Sequence, residues 1–415
     1  MSIFDKVRNQ RNKIILNKEV LSPSYVPPQL IHRTHKEEEL AKYFLDLLEE
    51  PGKNYSYAII SGPQGVGKTH LALHFYNELK EAFKKEVGKD LLRAHINCYL
   101  GYRSLSQILR GITTSMRLGT PTRGISNTEM LEYIFRALDK SDKYLLVILD
   151  DFQYALYNDR DIARFFARLD ERFSSREQRI HVIIIVNSIN TFLAYANDEK
   201  LKNWKRKHVY MPPYSQAELF DILRDRRDRA FYPNTVPDEI ILEISKWIGV
   251  DTGKSLGAHS GSARLAIETL KLSAERAESL GKQQVDTEDL RYAWAELNKQ
   301  GDLMIVSELV ERLNDHELLF LYSLASVLEV TGESYVRIGK VEEEYRMLCE
   351  TLGIEPRKHT QIYEYARRLS NLGIIRRENP TKGMRGRSTL LSIEFPLTPF
   401  KEKLIQVLRR RNYEL

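Results

Sequence analysis

The stretch Gly62-Pro63-Gln64-Gly65-Val66-Gly67-Lys68-Thr69 decides the fold of this chain. Its G-x-x-x-x-G-K-T pattern is that of a P-loop, whose glycines let the backbone curl so that several N–H groups point at one phosphate group. The start of a following helix adds partial positive charge, Lys68 can reach the β- and γ-phosphates, and the Thr69 hydroxyl can hold Mg²⁺. A chance glycine-rich turn is the alternative interpretation. The stretch predicts a site for ATP or ADP with Mg²⁺.

The residues around the loop supply the structural context that the motif requires. Tyr57–Ser61 suits a short buried strand, and His70–Tyr76 places apolar side chains at helical spacing. Further buried strands are predicted at residues 91–97, 144–149 and 182–186. Strands that alternate with helices as far as residue 211 predict an α/β domain, with a parallel sheet covered by helices on both faces.

The composition indicates a globular protein with a basic balance. The chain has 415 residues, 42% hydrophobic and 29% charged, with a formal net charge of +6 that favours an anionic partner. The two cysteines, Cys98 and Cys349, suggest a reducing interior rather than a disulfide framework. The N-terminus lacks the apolar core of a signal peptide, and the longest apolar runs are too short to span a bilayer. We therefore expect a cytoplasmic protein with no membrane partner.

Acidic residues follow the third predicted strand. The apolar run Tyr144–Leu149 leads directly into Asp150 and Asp151, at the carboxyl edge of the sheet where open α/β folds bind ligands. We predict that Asp150 holds Mg²⁺ and that Asp151 orients or deprotonates the attacking water. Asn187, at the end of the next strand, could reach the γ-phosphate or that water. A plain turn residue is the alternative for Asn187.

Three arginines mark a helix predicted over residues 104–118. Arg103, Arg110 and Arg117 are seven residues apart, which would place them near one helix face. By spacing alone a solvated face is favoured. The other hypothesis is a helix that contacts DNA phosphates.

An all-helical segment follows the boundary at Pro212 and Pro213. Residues 215–230, 237–248, 261–279 and 286–299 predict four helices. Such a segment after a P-loop sheet is typical of a lid over the nucleotide. Arg264 falls in the first turn of the third helix, where the helix dipole disfavours positive charge, and this hints that Arg264 faces an anion.

The C-terminal part predicts a winged helix. Helices over residues 314–328, 334–351 and 357–371 precede strands at 373–377 and 390–394. Residues 357–387 hold nine basic residues, Arg376 among them, against Glu364 and Glu378, which predicts a DNA-facing surface. The alternative is a winged helix used for protein contacts. The predicted DNA contacts are Lys358, Thr360, Gln361, Arg367, Lys382, Arg385, Gly386 and Arg387.

The order of these parts resembles the archaeal initiators related to the first origin-recognition-complex subunit and the cell-division-cycle loader protein, which are AAA+ ATPases. The resemblance rests on Tyr25-Val26-Pro27, His32-Arg33, the P-loop, Leu149-Asp150-Asp151, Asn187, Met211-Pro212-Pro213-Tyr214, Arg226, Gly261-Ser262-Ala263-Arg264 and Gly386-Arg387. It implies an α/β P-loop AAA+ ATPase domain with an N-terminal strap (residues 1–211), an α-helical lid (212–300) and a C-terminal winged-helix domain (301–415).

The resemblance also implies roles and partners. Val26, Arg33, Tyr214 and Arg226 would surround the nucleotide together with the P-loop. Asn187 would be the first sensor and Arg264 the second, and the helix near residues 103–118 would touch origin DNA. The implied function is a nucleoid-associated initiator that binds origin duplex DNA beside a paralogous subunit. It would help to load the minichromosome-maintenance helicase.

Two positions depart from the family pattern. Asp151 stands where the family usually has Glu, and the shorter side chain predicts slow hydrolysis. The arginine finger of the family aligns with Lys200, which cannot act as a bidentate fork. Lys202, Lys205 or Arg206 could substitute. These changes favour a nucleotide switch over a clamp-loader-like remodelling ATPase, while a repressor of initiation stays an open alternative.

Overall fold

The computed structural model describes residues 13–119, 124–159, 161–172, 175–194, 203–250, 260–297, 309–378 and 389–413. The chain divides into two compact units. The first comprises residues 23–222 and 248–264, and the second comprises residues 1–22, 223–247 and 265–415. Across the described ranges, no helix is both long enough and apolar enough to cross a membrane.

The first unit is built on a five-stranded parallel sheet in the order β2-β3-β4-β1-β5. Its strands are β1 (Tyr57–Ser61), β2 (Asp90–Asn97), β3 (Lys143–Asp150), β4 (Ile180–Val186) and β5 (His208–Tyr210). Strands β3 and β4 are buried along nearly their whole length, as expected where both faces of a sheet are covered. The predicted α/β class is confirmed.

Helices cover this sheet. They are α1 (Thr34–Lys42), α2 (Leu45–Glu49), α3 (Lys68–Glu86), α4 (Leu105–Ser115), α5 (Asn127–Ser141), α6 (Gln153–Asn158), α7 (Asp161–Ala167), α8 (Leu169–Arg172) and α9 (Ile189–Ala194). Tyr43 and Phe44 separate α1 from α2. Phe44 is buried there, 5.2 Å from the ring of Phe75. Burial of this ring against α3 accompanies the break.

The second unit holds most of the predicted lid and the winged helix. Its helices are α10 (Gln216–Ala230), α11 (Asp238–Ile248), α12 (Ala263–Ser279), α13 (Thr287–Leu297), α14 (Asp315–Thr331), α15 (Ile338–Thr351), α16 (His359–Asn371) and α17 (Leu397–Arg410). The N-terminal ends of α10 and α12 and the last residue of α11 belong to the first unit. The antiparallel strands β6 (Val336–Arg337), β7 (Arg376–Glu378) and β8 (Leu390–Ser392) lie in the order β6-β8-β7.

Two parts of this unit differ from the prediction. The helix expected from residue 334 begins only at Ile338, because Val336 and Arg337 pair with β8 instead. Helix α17 was not predicted, yet Phe400 and Leu404 bury its apolar face in the winged-helix core. The three helices and the hairpin of the prediction are confirmed.

A buried arginine joins lid helix α13 to the winged helix within the second unit. Arg291 is 2% exposed and donates from Nε to the Ile393 carbonyl at 3.0 Å and from Nη2 to the Glu333 carbonyl at 3.3 Å. Its ion-pair partner Glu288 accepts from the Leu397 backbone N–H at 3.0 Å. Lid and winged helix therefore share one buried polar network.

The P-loop begins where β1 runs into a close backbone contact. Gly62 has a φ of +154°, and a Cβ at this position would collide with the Met211 carbonyl oxygen. The Met211 N–H in turn donates to the Ser61 carbonyl at 2.7 Å. Only glycine fits this approach, so the contact fixes where the loop leaves the sheet.

We expect Gly62→Ala to lower the free energy of unfolding by about 2–3 kcal/mol, because an added methyl must displace backbone and adopt a strained φ. Thermal unfolding followed by circular dichroism measures the change. Gly119→Ala is the matched control, since a Cβ there meets no atom within 4 Å. The control should change the unfolding free energy by less than about 0.5 kcal/mol. Equal melting curves for the two variants would contradict the close approach.

Replacing the buried arginine should also destabilise the second unit. We expect Arg291→Met to lower the free energy of unfolding by about 3 kcal/mol, because Glu288 and two carbonyls lose their donor. Chemical denaturation measures it. Arg337→Met removes an exposed arginine from β6 and should be close to neutral. A loss no larger than that of the control would show that the network adds no stability.

Candidate nucleotide site and nucleic-acid interface

The P-loop lysine lies among oxygen atoms at the carboxyl edge of the sheet. Lys68 is 7% exposed, and its Nζ donates to the carbonyls of Gly62 and Pro63, each at 2.8 Å, and to Asn187 Oδ1 at 3.0 Å. Burial lowers the pKa of Lys68 to about 8, although nearby carboxylates act in the opposite direction. An arriving phosphate would offer the ammonium a charged partner in place of neutral ones. The structure thus brings Lys68 and Asn187 together.

Thr69 and Asp150 form the candidate metal pair. Thr69 Oγ1 donates to Asp150 Oδ2 at 2.9 Å, and Asp150 is 4% exposed. A hydroxyl and a carboxylate are hard oxygen ligands of the kind that Mg²⁺ takes together with phosphate and water. The donor set therefore fits Mg²⁺.

His95 lies beside this pair and was not predicted. Its Nε2 is 3.2 Å from Asp150 Oδ2. The parallel register of β2 and β3, in which Asn97 pairs with Asp150, brings His95 to the same edge. No local pattern marks this histidine, since only strand pairing places it here.

The backbone conformation of Asp151 and hydrogen bonds to Asp150 and Gln153 fix the position of its carboxylate. Its φ is +50°, a left-handed conformation that Asp tolerates better than most residues. Its N–H donates to Asp150 Oδ1 at 3.0 Å, and Gln153 Nε2 donates to Asp151 Oδ1 at 3.2 Å. Burial raises the pKa of Asp151, and the charge of Asp150 adds to the rise. A carboxylate fixed in this way can orient a water molecule, and Gln153 is a second residue that the sequence did not reveal.

The Gly-Ser-Ala-Arg turn packs directly on the P-loop. A Cβ on Gly65 would collide with Ser262 Oγ, and the Arg264 N–H donates to the Gly65 carbonyl at 3.3 Å. Arg264 is exposed, and its charge is close enough to act on the carboxyl of Asp151. The predicted anion-facing arginine therefore lies at the loop.

The strap supplies another arginine. Arg33 is 2% exposed, its guanidinium lies 3.8 Å from the centroid of the Tyr214 ring, and its Nη2 donates to the Pro212 carbonyl at 2.7 Å. The Tyr214 hydroxyl is 3.5 Å from the position of a Cβ on Gly67. Arg33 and Tyr214 thus lie at the P-loop, and half-buried Val26 belongs to the same strap.

Arg226 belongs to the second unit. It is buried there, and its Nη1 donates to the Val20 carbonyl at 3.3 Å. Its contact with the nucleotide remains a prediction.

Helix α16 separates an apolar face from a polar one. Ile362, Tyr365, Ala366 and Leu369 are buried. The predicted DNA contacts Lys358, Thr360, Gln361 and Arg367 are exposed. His359 is exposed at the start of the same helix, and its Nδ1 lies 2.5 Å from the carboxylate of nearly buried Glu342. His359 was not among the predicted DNA contacts. The predicted contacts Lys382, Arg385, Gly386 and Arg387 lie outside the described residues.

Arg376 does not belong to that surface. Its Nη1 donates to Glu394 at 2.6 Å and its Nη2 to the Lys246 carbonyl at 3.2 Å. Counting it among the DNA-facing residues was wrong, because its guanidinium is already bonded to Glu394 and to the Lys246 carbonyl of α11.

The arginines near α4 do not share one helix face. Ser104 caps the helix in a capping box, so Arg103 precedes it, and Arg117 follows its end with a φ of +56°. The prediction of a common face is therefore wrong, and Arg110 is the member of the three that lies in the helix. All three arginines are exposed. Of the finger candidates, Lys205 and Arg206 are exposed before β5, whereas 200 and 202 lie outside the described residues.

Comparison with known proteins gives the same order of domains along the chain as the structure does: an ATPase domain, a lid and a winged helix. Family models match an AAA ATPase domain over residues 33–185, a Cdc6 AAA+ ATPase-type lid domain over 220–295 and a CDC6 C-terminal winged helix domain over 308–402. The structure of Cdc6p from Pyrobaculum aerophilum is similar at a TM-score of 0.79 with 28% identity, covering 96% of this chain and 99% of that one. The predicted ATPase, lid and winged-helix architecture is confirmed.

Two further relatives narrow the family. The Aeropyrum pernix ORC2 protein, solved as ADPNP–ADP complexes, has a TM-score of 0.60 and 26% identity, covering 96% of this chain and 99% of that one. The ORC1-type DNA replication protein 2 of Saccharolobus solfataricus is 38% identical over 387 residues, 92% of this chain and 91% of that protein. This chain belongs to the archaeal family of ORC1-type DNA replication proteins.

Proposed function

We propose that this chain is an ATP/ADP-switched replication initiator. It binds origin duplex DNA, acts beside a paralogous initiator on the nucleoid and helps to recruit or load the minichromosome-maintenance helicase. The observation that carries the proposal is the assembly of Lys68, Thr69, Asp150, Asn187 and Arg264 around one P-loop in a chain that also holds a winged helix. The exposed polar face of α16 supports a DNA contact.

The nucleotide site supports ATP binding with Mg²⁺. Lys68 would bind the β- and γ-phosphates, Thr69 and Asp150 would hold the metal, and Mg²⁺ would neutralise charge on the phosphates. Asp151 would orient the attacking water, with its carboxylate fixed by Gln153. Asn187 and Arg264 would sense the γ-phosphate. We divide the chain into an ATPase domain (1–211), a lid (212–300) and a winged helix (301–415).

Slow hydrolysis follows from the length of Asp151. Its carboxylate is one methylene shorter than the glutamate it replaces, and a misplacement on the order of 1 Å can lower a rate by about 10²-fold. A long-lived ATP state suits a switch better than a motor. The DNA-binding state would then be set by which nucleotide is bound.

Lengthening this residue should speed the reaction. We expect Asp151→Glu to raise the turnover of ATP by about 10- to 100-fold, because the carboxylate reaches the water more closely. Phosphate release at saturating MgATP measures it. Asp151→Asn keeps the shape without the charge and should be slower than wild type, while Lys68→Ala sets the background. Equal rates for the Glu and Asn variants would show that the Asp151 carboxylate does not orient the attacking water.

DNA reading is tested by removing the wing arginines. We expect Arg385→Ala/Arg387→Ala to weaken binding to origin-derived duplexes at least about tenfold and to lower the slope of log affinity against log salt by about 2. Fluorescence anisotropy at several salt concentrations measures both. Lys80→Ala/Lys85→Ala makes the same charge change on exposed positions of α3 and should leave the slope unchanged.

The comparison with random duplex decides between functions. A preference for origin sequence that is lost with the wing variant supports the initiator. Lys68→Ala then shows whether nucleotide controls the preference. Equal binding of every protein to every duplex would contradict DNA reading and favour a remodelling ATPase.

A further inference from the structure

His74 joins three segments of the first unit. It lies on α3, the helix that begins with Lys68. Its Nδ1 is 2.6 Å from Glu37 Oε1 of α1, and its Nε2 is 3.0 Å from the carbonyl oxygen of Pro28 in the strap. The side chain of His74 is 14% exposed and that of Glu37 is 19% exposed, so water competes weakly for the contact between these two side chains, whereas the contact with exposed Pro28 is open to water.

Both partners of this imidazole are hydrogen-bond acceptors. A neutral imidazole has one N–H, so it can donate to the carboxylate or to the carbonyl but not to both. The imidazolium form has two N–H groups and satisfies both partners at once. The geometry at His74 therefore suits the protonated side chain.

The charges around His74 favour that form. Burial lowers the pKa of His74, but the bonds to Glu37 and Pro28 outweigh burial and the net pKa is raised from its ordinary value of 6.5. Glu78, one turn further along α3, acts in the same direction. The neighbouring cation of α1, Lys36, is paired with Glu39 at 2.9 Å.

The strap that His74 holds continues to the P-loop. Pro28 lies two residues after Val26, and the chain then runs to Arg33, which stacks on Tyr214 beside Gly67. The strap is thus fixed at one point by the Arg33–Tyr214 stack and at another by His74. The second contact comes from the same helix whose first residue is the phosphate-binding lysine.

We propose that His74 is a positioning residue for the nucleotide: its imidazolium holds the strap against the P-loop helix, and nucleotide affinity weakens when the proton leaves. This inference rests on the proposed nucleotide function. Because the pKa of His74 is raised, the contribution is fully present below pH 6.5 and is lost as the pH rises through the raised value.

The experiment measures binding of a fluorescent ADP analogue with Mg²⁺ from pH 6.0 to 8.5, at fixed ionic strength, by the full-length chain. Wild type, His74→Gln, Glu37→Gln and the exposed-residue control His35→Gln are compared, with Lys68→Ala as the background. Ionisation of the phosphates and of Lys68 affects wild type and His74→Gln alike, so the ratio of their affinities isolates the imidazole.

We expect wild type to bind roughly tenfold more tightly than His74→Gln at pH 6.0 and nearly equally at pH 8.5. His35→Gln should follow wild type. Glu37→Gln should move the wild-type transition to lower pH, because it removes the charge that favours the imidazolium. This variant also tests the proposal if His74→Gln fails to fold.

Two negative outcomes are distinguishable. Identical pH profiles for wild type, His74→Gln and Glu37→Gln, with tight binding throughout, would overturn the role of His74 and leave nucleotide binding intact. Binding by wild type that is no tighter than that of Lys68→Ala at any pH would overturn the proposed function itself.

Discussion

Close backbone approach at the P-loop is the constraint on which the first unit depends. Gly62 passes beside the Met211 carbonyl, and Gly65 lies against Ser262. A side chain at position 62 would collide with backbone and one at position 65 with the Ser262 side chain, so the loop is enclosed by the residue after β5 on one side and by the turn before α12 on the other. Residues far apart in sequence meet at this loop: Asn187 accepts a hydrogen bond from Lys68, and the Arg264 N–H donates to the Gly65 carbonyl.

Local patterns were enough to predict four of the five strands of the parallel sheet and much of the candidate site, whereas the three-residue strand β5 was not predicted. The P-loop and the Asp150–Asp151 pair each combine a strand, a turn and a chemically specific residue within a few positions. His95 and Gln153 could not be predicted, because strand register and a short helix place them. Strand β6 has only two residues and therefore shows no periodicity. Helix α17 has apolar residues at helical spacing, namely Phe400, Leu404 and Leu408, but it was not predicted.

Charge patterns were less reliable than apolar ones. Spacing put Arg103 and Arg117 on one helix with Arg110, but a cap at Ser104 and a left-handed residue at the other end exclude them. Counting basic residues placed Arg376 on a DNA-facing surface, although Glu394 engages it. A sequence shows how many charges a segment carries, whereas tertiary structure decides which of them are already paired.

The network around Arg291 has a mechanical consequence. Arg291 itself is buried, and its bonds of 3.0 and 3.3 Å join α13 to the backbone on either side of the winged-helix sheet, so breaking them would leave several polar groups unpaired at once. A rotation of α13 relative to the winged helix would have to break these bonds, so we expect the two to move together.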